Sequence, residues 1–554
     1  MRIDRREFLG VGAASGVALA TAGAAGASST SGKLDGGLLA RVRDYAEAHM
    51  RDWGLPGMTI ALSSPDGQGF VRVGMADLDS ETPVRADHLY QVGSITKMMT
   101  GLAFWTLVDE GRASPDALLK DMLPELKVDG GEAITLLHLL NHTSGLPGGA
   151  PLILDDGLWV GFAPGASWEY CNLGFRLIGK IIERIDGRPF PDAVEARVLR
   201  PIGMTSSKGA MRSADRHLYA AGYQAQLLDR PGLRPAPLAR APWVDFDASS
   251  GCIASTAADM AKFAAFLVGL GRGDGAPVLS ADAAKAFLAS DARARDDMSY
   301  ASGVMKLDAS GRRYLHHTGG MVSFSSSLHV DPEAGVGAFA STNIHYARSY
   351  RPRDVTKFAC ELMRAAMTGE KAPTPPSSRS RTRAPERFAG EYASQSGVTL
   401  NVVAEGDQLK VQSGYRSFAL QPVGDLEFAT DDPRFAGSGL DFELADGGAV
   451  RVWAGSVEFL AHPDDGYRTP FDGADAYVGH YATDDRWGLD TKVYVRGTRL
   501  HVKSANYGRD LVREGDGWRF VGAPTAARIA FDGMIGGQYQ RVIGSGEPSY
   551  RVSI

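Results

Sequence analysis

Along the stretch LYQVGSITKMMTGLAFWTLVDEG, apolar residues return at Ile95, Met98, Met99, Leu102, Ala103, Leu107 and Val108 and stop at Gly111. This helical rhythm predicts a buried helix with Ser94 as its N-cap. In NLGFRLIGKIIERIDG, Leu173, Leu177, Ile178, Ile181 and Ile182 share one face of a second helix. The segment YLHHTGGMVSFSSSLHVDPEAGVGAFASTN reads as a strand from His317 to Ser325, then a hairpin turning between Asp331 and Gly335.

Helical and strand patterns alternate from about Leu34 to Thr368, so residues 34–368 are expected to form one α/β (α+β) domain. Gly369 to Glu386, GEKAPTPPSSRSRTRAPE, lacks apolar periodicity and reads as a linker over 369–386. Beyond it the period shortens to two. FAGEY at Phe388 and YVGHY at Tyr477 each lead into a hairpin with a Gly-containing turn, an internal repeat of about ninety residues. Two small antiparallel β-barrel modules are expected, 387–471 and 472–554; one larger barrel built from both halves is the rival.

Bulk properties narrow the function. A chain of 554 residues, 44% apolar and 22% charged, has enough apolar material for several packed cores. A formal charge of -6 gives no basic footprint for a nucleic-acid partner. Cys171, Cys252 and Cys360 are widely spaced, which proposes neither a disulfide framework nor a zinc site. His138 and His142 are four apart in HLLNH, but Leu139 stands where a zincin carries glutamate, so they read as helix packing and no metal or cofactor is expected. Arg5-Arg6, Phe8-Leu9, a Gly/Ala-rich run and small residues near Ala22 to Ala27 resemble a twin-arginine export signal over 1–27. It implies a periplasmic or secreted protein with no stable membrane insertion after signal removal.

The chemistry lies upstream of the linker. Ser94 is the only serine in the chain three residues before a lysine, and that spacing lets the Lys97 amine reach the Ser94 hydroxyl on one helix face. Tyr170-Cys171-Asn172 precedes the second helix, and His317-Thr318-Gly319-Gly320 lies in the strand. In this order, and with the phrases HTSGLP, FAPG, RPIGM and STAADMAKF, residues 38 to 365 resemble the serine β-lactamase and penicillin-binding-protein superfamily, in its class C-like branch, peptidase family S12. No G-x-S-x-G elbow occurs.

The resemblance implies an antiparallel sheet flanked by helices with a helical subdomain, and chemistry through an acyl-enzyme. Ser94 would be the nucleophile, with Lys97 or Tyr170 taking its proton. Asn172 would orient the lysine and grip a substrate amide, a role compatible with capping the helix that follows. His317, Thr318 and Gly319 would bind substrate, and the N–H groups of Ser94 and Gly320 would form the oxyanion hole. Two departures stand out: His317 replaces the lysine of many β-lactamases, a weaker anchor for a carboxylate, and Cys171 replaces a smaller residue. The trailing modules resemble those of multi-domain D-aminopeptidases, and lipocalin-like barrels gating access are the expectation. The implied function is a peptidase or amidase on short peptides, perhaps with D-residues. An esterase or β-lactamase using the same site is the first rival, and a silent ligand- or cell-wall-binding homologue is the second. Oligomeric state is left open.

Overall fold

The computed structural model describes residues 34–552 except 151–156, 234, 345–349, 378–381, 484–489, 505–507, 516 and 523. The proposed export signal lies outside them.

Among the described residues, the sheet upstream of the linker has nine strands. Its centre is the run of strands Arg312–Gly320, Ser325–Asp331 and Val336–Thr342, onto which the early strand Gly57–Ser64 pairs antiparallel, with Ile60 opposite Ala340. Alternation along each strand assigns its residues to two cores. Ile60, Leu62, Ala338 and Ala340 meet Val42, Ala46, Val355 and Phe358 from the helices Gly36–Trp53 and Arg353–Thr368. Ala61, Leu328, Val330 and Phe339 face the helical side, where Thr96–Asp109, Asn172–Asp186 and Ala257–Gly271 pack. Covered on both faces, the strands Ser325–Asp331 and Val336–Thr342 are buried at every position rather than at alternate ones.

Two sequence expectations are corrected. The strand bearing His317 ends at Gly320, because residues 321–324 form a turn closed by the Met321 N–H on the Phe324 carbonyl (2.9 Å). Pairing with the strand Val304–Ala309 stops at His316, so His317 to Gly320 are laddered only on the side of Ser325 to Leu328. Ser94 is not an N-cap. It sits inside a single 3-10 turn, Gly93–Ile95, and the α-helix begins at Thr96 behind Ile95, with no side-chain cap. Gly93 at φ 56° turns the chain there, a conformation glycine adopts without strain.

The C-terminal region forms two closed eight-stranded barrels, not one. The first closes by pairing Ala393 with Leu460, the second by pairing Tyr481 with Arg551. The repeated aromatic-x-Gly-x-Tyr opening has one physical purpose in both. The Tyr392 hydroxyl donates to the Phe388 carbonyl (2.8 Å) and the Tyr481 hydroxyl to the Tyr477 carbonyl (2.9 Å), stapling each barrel's entry to its first strand. Between the barrels Asp441 accepts from Arg496 (2.5 Å) and from Lys503, all three nearly buried. Removing one partner would strand a buried charge, so this cluster fixes the barrels' mutual orientation.

Candidate active site

The helix Thr96–Asp109 is buried on nearly every face, and that burial decides the state of Lys97. Its side chain is 0% exposed, and its Nζ lies 2.7 Å from the Ser250 carbonyl, 2.8 Å from Asn172 Oδ1 and 3.1 Å from Ser94 Oγ. Desolvation drives its pKa well below the usual lysine value. Two of its three partners can only accept, so they take two N–H bonds. In the neutral amine the remaining position, facing Ser94, is a lone pair.

Tyr170 completes the group. Burial raises its phenol above the ordinary tyrosine value, and a hydrogen bond with Ser94 pulls in the opposite direction. Lys97 Nζ is 5.0 Å from the centre of its ring. The structure therefore brings Ser94, Lys97, Tyr170 and Asn172 together. Asn172 does not cap its helix. Cys171 is the N-cap, its Sγ accepting from the Gly174 N–H at 3.3 Å, which leaves the Asn172 amide for Lys97. Burial pushes the Cys171 thiol up to about 11, so the thiol packs and caps rather than reacts.

Gly319 and Gly320 lie against the Gly93–Ser94 turn. A Cβ on Gly319 would sit 1.8 Å from the Val92 carbonyl, and one on Gly93 would sit 2.7 Å from the Gly320 nitrogen. Both glycines are required by close approach, and the approach brings the Ser94 and Gly320 backbones side by side. His317 is 1% exposed and already engaged. Its Nδ1 lies 2.7 Å from the Thr318 carbonyl and must carry the proton there, so Nε2 accepts from the Tyr300 hydroxyl at 3.0 Å. Desolvation, with Lys97 nearby, keeps it neutral. The weak carboxylate anchor expected at His317 becomes an uncharged wall; Thr318, also buried, is its neighbour on the strand.

Sequence reasoning missed two residues that hold Tyr170 in place. His142 is not on a helix with His138; it follows the short helix Leu136–Leu140 at φ 60°. Its carbonyl accepts the Glu169 N–H (2.9 Å), its Nδ1 accepts the Cys171 N–H (3.0 Å), and its ring lies 4.4 Å from the Tyr170 ring, centre to centre. His138 instead closes a capping box with Thr135. Glu169 is gripped by the second barrel. Its carboxylate accepts from the Thr525 hydroxyl and from the Ala526 N–H (2.7 Å), while the Ala526 carbonyl accepts from Trp159 Nε1 (2.9 Å). His142 read as helix packing because its role depends on a fold-back to residues 169–171, and no local pattern signals the contact of Glu169 with residue 525.

A family model described as beta-lactamase matches residues 42–358. The chain belongs to the beta-lactamase family of serine hydrolases. It is 33% identical over 199 residues to esterase EstB of Burkholderia gladioli, a match covering 30% of this chain and 50% of the esterase. Against penicillin-binding protein 4 of Amycolatopsis lactamdurans it is 28% identical over 321 residues, 53% of this chain and 83% of that protein. The fold resembles that of the octameric penicillin-binding protein homologue from Pyrococcus abyssi, with a TM-score of 0.56 at 18% identity, covering 85% of this chain and 99% of that one.

Tyr170→Phe tests the phenol without disturbing the ring contacts with His142. Turnover is expected to fall about a hundredfold, read as kcat on a peptide amide, whose leaving amine must be protonated. An unchanged kcat would remove Tyr170 from the proton path.

Proposed function

We propose that this chain is an exported hydrolase that cleaves short peptide amides through an acyl-enzyme on Ser94, with neutral Lys97 as the base. The observation that carries it is the seating of Lys97 between two obligate acceptors, with its remaining position on Ser94 Oγ. Ser94 Oγ attacks the carbonyl carbon as its proton passes to Lys97 Nζ. The Ser94 and Gly320 N–H groups receive the developing oxyanion, each worth roughly 3 kcal/mol. Tyr170 protonates the departing amine, leaving a phenolate beside the Lys97 ammonium. In the second half water attacks the ester carbon and gives its proton to Tyr170, and Ser94 leaves with the proton from Lys97. Both groups return to their starting states.

The unladdered side of His317 to Gly320 supports an extended peptide bound beside the strand. The Thr525–Ala526 contact on Glu169 supports a second-barrel loop that shapes access to the site. Export is supported by the Arg5-Arg6 leader. Esterase activity is the second reading, favoured by the neutral, occupied state of His317, which offers no cation to a peptide's terminal carboxylate.

The test is a set of matched amides and esters, D and L, sharing one acyl group, with a fluorescent phosphonate to count reactive serines. Stoichiometric labelling with turnover of amides supports the proposal. Labelling with ester turnover alone gives the esterase reading, and absence of labelling overturns both.

A further inference from the structure

Residues 160–171, which bring the chain to Tyr170, form neither helix nor strand, so no backbone ladder fixes the phenol. Its place depends on the pins on either side. After it, the Cys171 N–H donates to His142 Nδ1 (3.0 Å) and the helix Asn172–Asp186 begins. Before it, the Glu169 N–H donates to the His142 carbonyl (2.9 Å), and the Glu169 carboxylate is held from the second barrel.

That hold is a strut rather than a flap. Residues 521–528 connect the barrel strands Gly517–Phe520 and Ile529–Ile535. Within this connection the Thr525 hydroxyl oxygen accepts the Ala527 N–H (3.1 Å), which aims its own proton at Glu169. Ala526 is 1% exposed; its N–H donates to Glu169 (2.7 Å) and its carbonyl accepts from Trp159 Nε1 (2.9 Å). A Cβ on Gly161 would stand 2.3 Å from Ala526 Cα, and the Arg528 guanidinium lies 4.4 Å from the centre of the Trp159 ring. Two donors on one carboxylate are among the stronger hydrogen bonds, and opening the connection would break both along with the packing on Gly161.

Lys97 has other supports, Asn172 and the Ser250 carbonyl. In the acyl-enzyme reading above, attack needs Ser94 and Lys97, whereas Tyr170 serves the leaving group. Its O–H proton passes to the amine nitrogen as the C–N bond breaks, and a phenolate remains. A p-nitrophenolate leaves as a stable anion and needs no proton. The strut therefore bears on amides and hardly on activated esters. We propose that Glu169 is a positioning residue through which the second barrel sets the leaving-group range of the site. With the carboxylate held, Tyr170 delivers its proton and amides are cleaved; with it released, the same site keeps ester cleavage and loses amides. The inference rests on that acyl-enzyme reading and assigns to the barrel a part in the choice of substrate class.

The experiment uses the full chain and compares a p-nitroanilide with a p-nitrophenyl ester, both carrying the acyl group that the wild-type protein turns over best. The readout is kcat/KM, which covers the steps through acylation. Glu169→Ala is expected to lower the anilide value about thirtyfold and the ester value about twofold or less. Thr525→Val, which removes only a hydroxyl from a barrel connection, should lower the anilide value about fivefold, and it carries the test if Glu169→Ala fails to fold. Adding it to Glu169→Ala should cost nothing further, because both changes break one contact. Glu169→Gln can still accept from Ala526 and can donate to Thr525, so it should recover most of the anilide rate. Equal losses on the two substrates overturn the proposal, since substrates of one size lose equally when the fold loosens or the entrance changes. An anilide rate unmoved by either variant overturns it too. A wild-type protein that acylates Ser94 with neither substrate overturns the hydrolase reading instead, and Tyr170→Phe without an anilide-selective loss overturns the proton-donor step, so these failures are told apart.

Discussion

Ser94→Ala is expected to abolish covalent labelling by a phosphonate and to lower kcat by about five orders of magnitude, a loss comparable to removing a nucleophile from other serine hydrolases. The fold should survive. Ser94 lies in a 3-10 turn, caps nothing, and Lys97 keeps its bonds to Asn172 and Ser250 without it. The thermal midpoint should therefore move by about 2 °C or less. What remains should be slow water attack on substrate held at the Ser94 and Gly320 N–H groups. Mass spectrometry of the labelled protein and a melting curve check both halves. A variant that still labels stoichiometrically places the nucleophile elsewhere.

Lys97→Met keeps the length of the side chain and removes the amine, and kcat should fall about a thousandfold or more. The wild-type pH profile checks the assignment independently. The active form carries neutral Lys97, whose pKa burial depresses, and protonated Tyr170, whose pKa burial raises. The rate should thus rise with pH as Lys97 loses its proton, at a pH well below the ordinary lysine value. It should decline only above the ordinary tyrosine value. Tyr170→Phe should delete the alkaline limb and leave the acid limb; Lys97→Met should delete the acid limb. An acid limb that persists in Lys97→Met assigns that proton to another group.

The sequence made legible what is local or ordered along the chain. Helical spacing placed Lys97 against Ser94, and apolar faces marked the helices that carry Ser94's neighbours and Asn172. The period-two texture after the linker, with its repeated aromatic-x-Gly-x-Tyr, foretold two barrels. What it hid depends on tertiary approach. Ser94 looked like an N-cap because serine favours caps, but close packing of Gly93 on Gly320 puts a 3-10 turn there instead. Asn172 looked like a cap for the same reason, whereas the adjacent thiol takes that role and the amide turns inward. His142 acts through its carbonyl and one ring nitrogen on either side of Tyr170, a clamp made by a fold-back of 29 residues.

The grip of the second barrel on Glu169 also has a consequence in time. Thr525 lies 356 residues downstream of the carboxylate that it holds. A ribosome adding about 5–20 residues per second needs roughly 20–70 s to make that stretch. From the moment Gly320 is made, the nascent chain contains Ser94, Lys97, Tyr170 and Gly320, while the segment carrying Tyr170 still lacks its carboxylate tether. Termination anywhere between the end of the sheet and residue 525 leaves a chain with every proposed catalytic group and no such restraint.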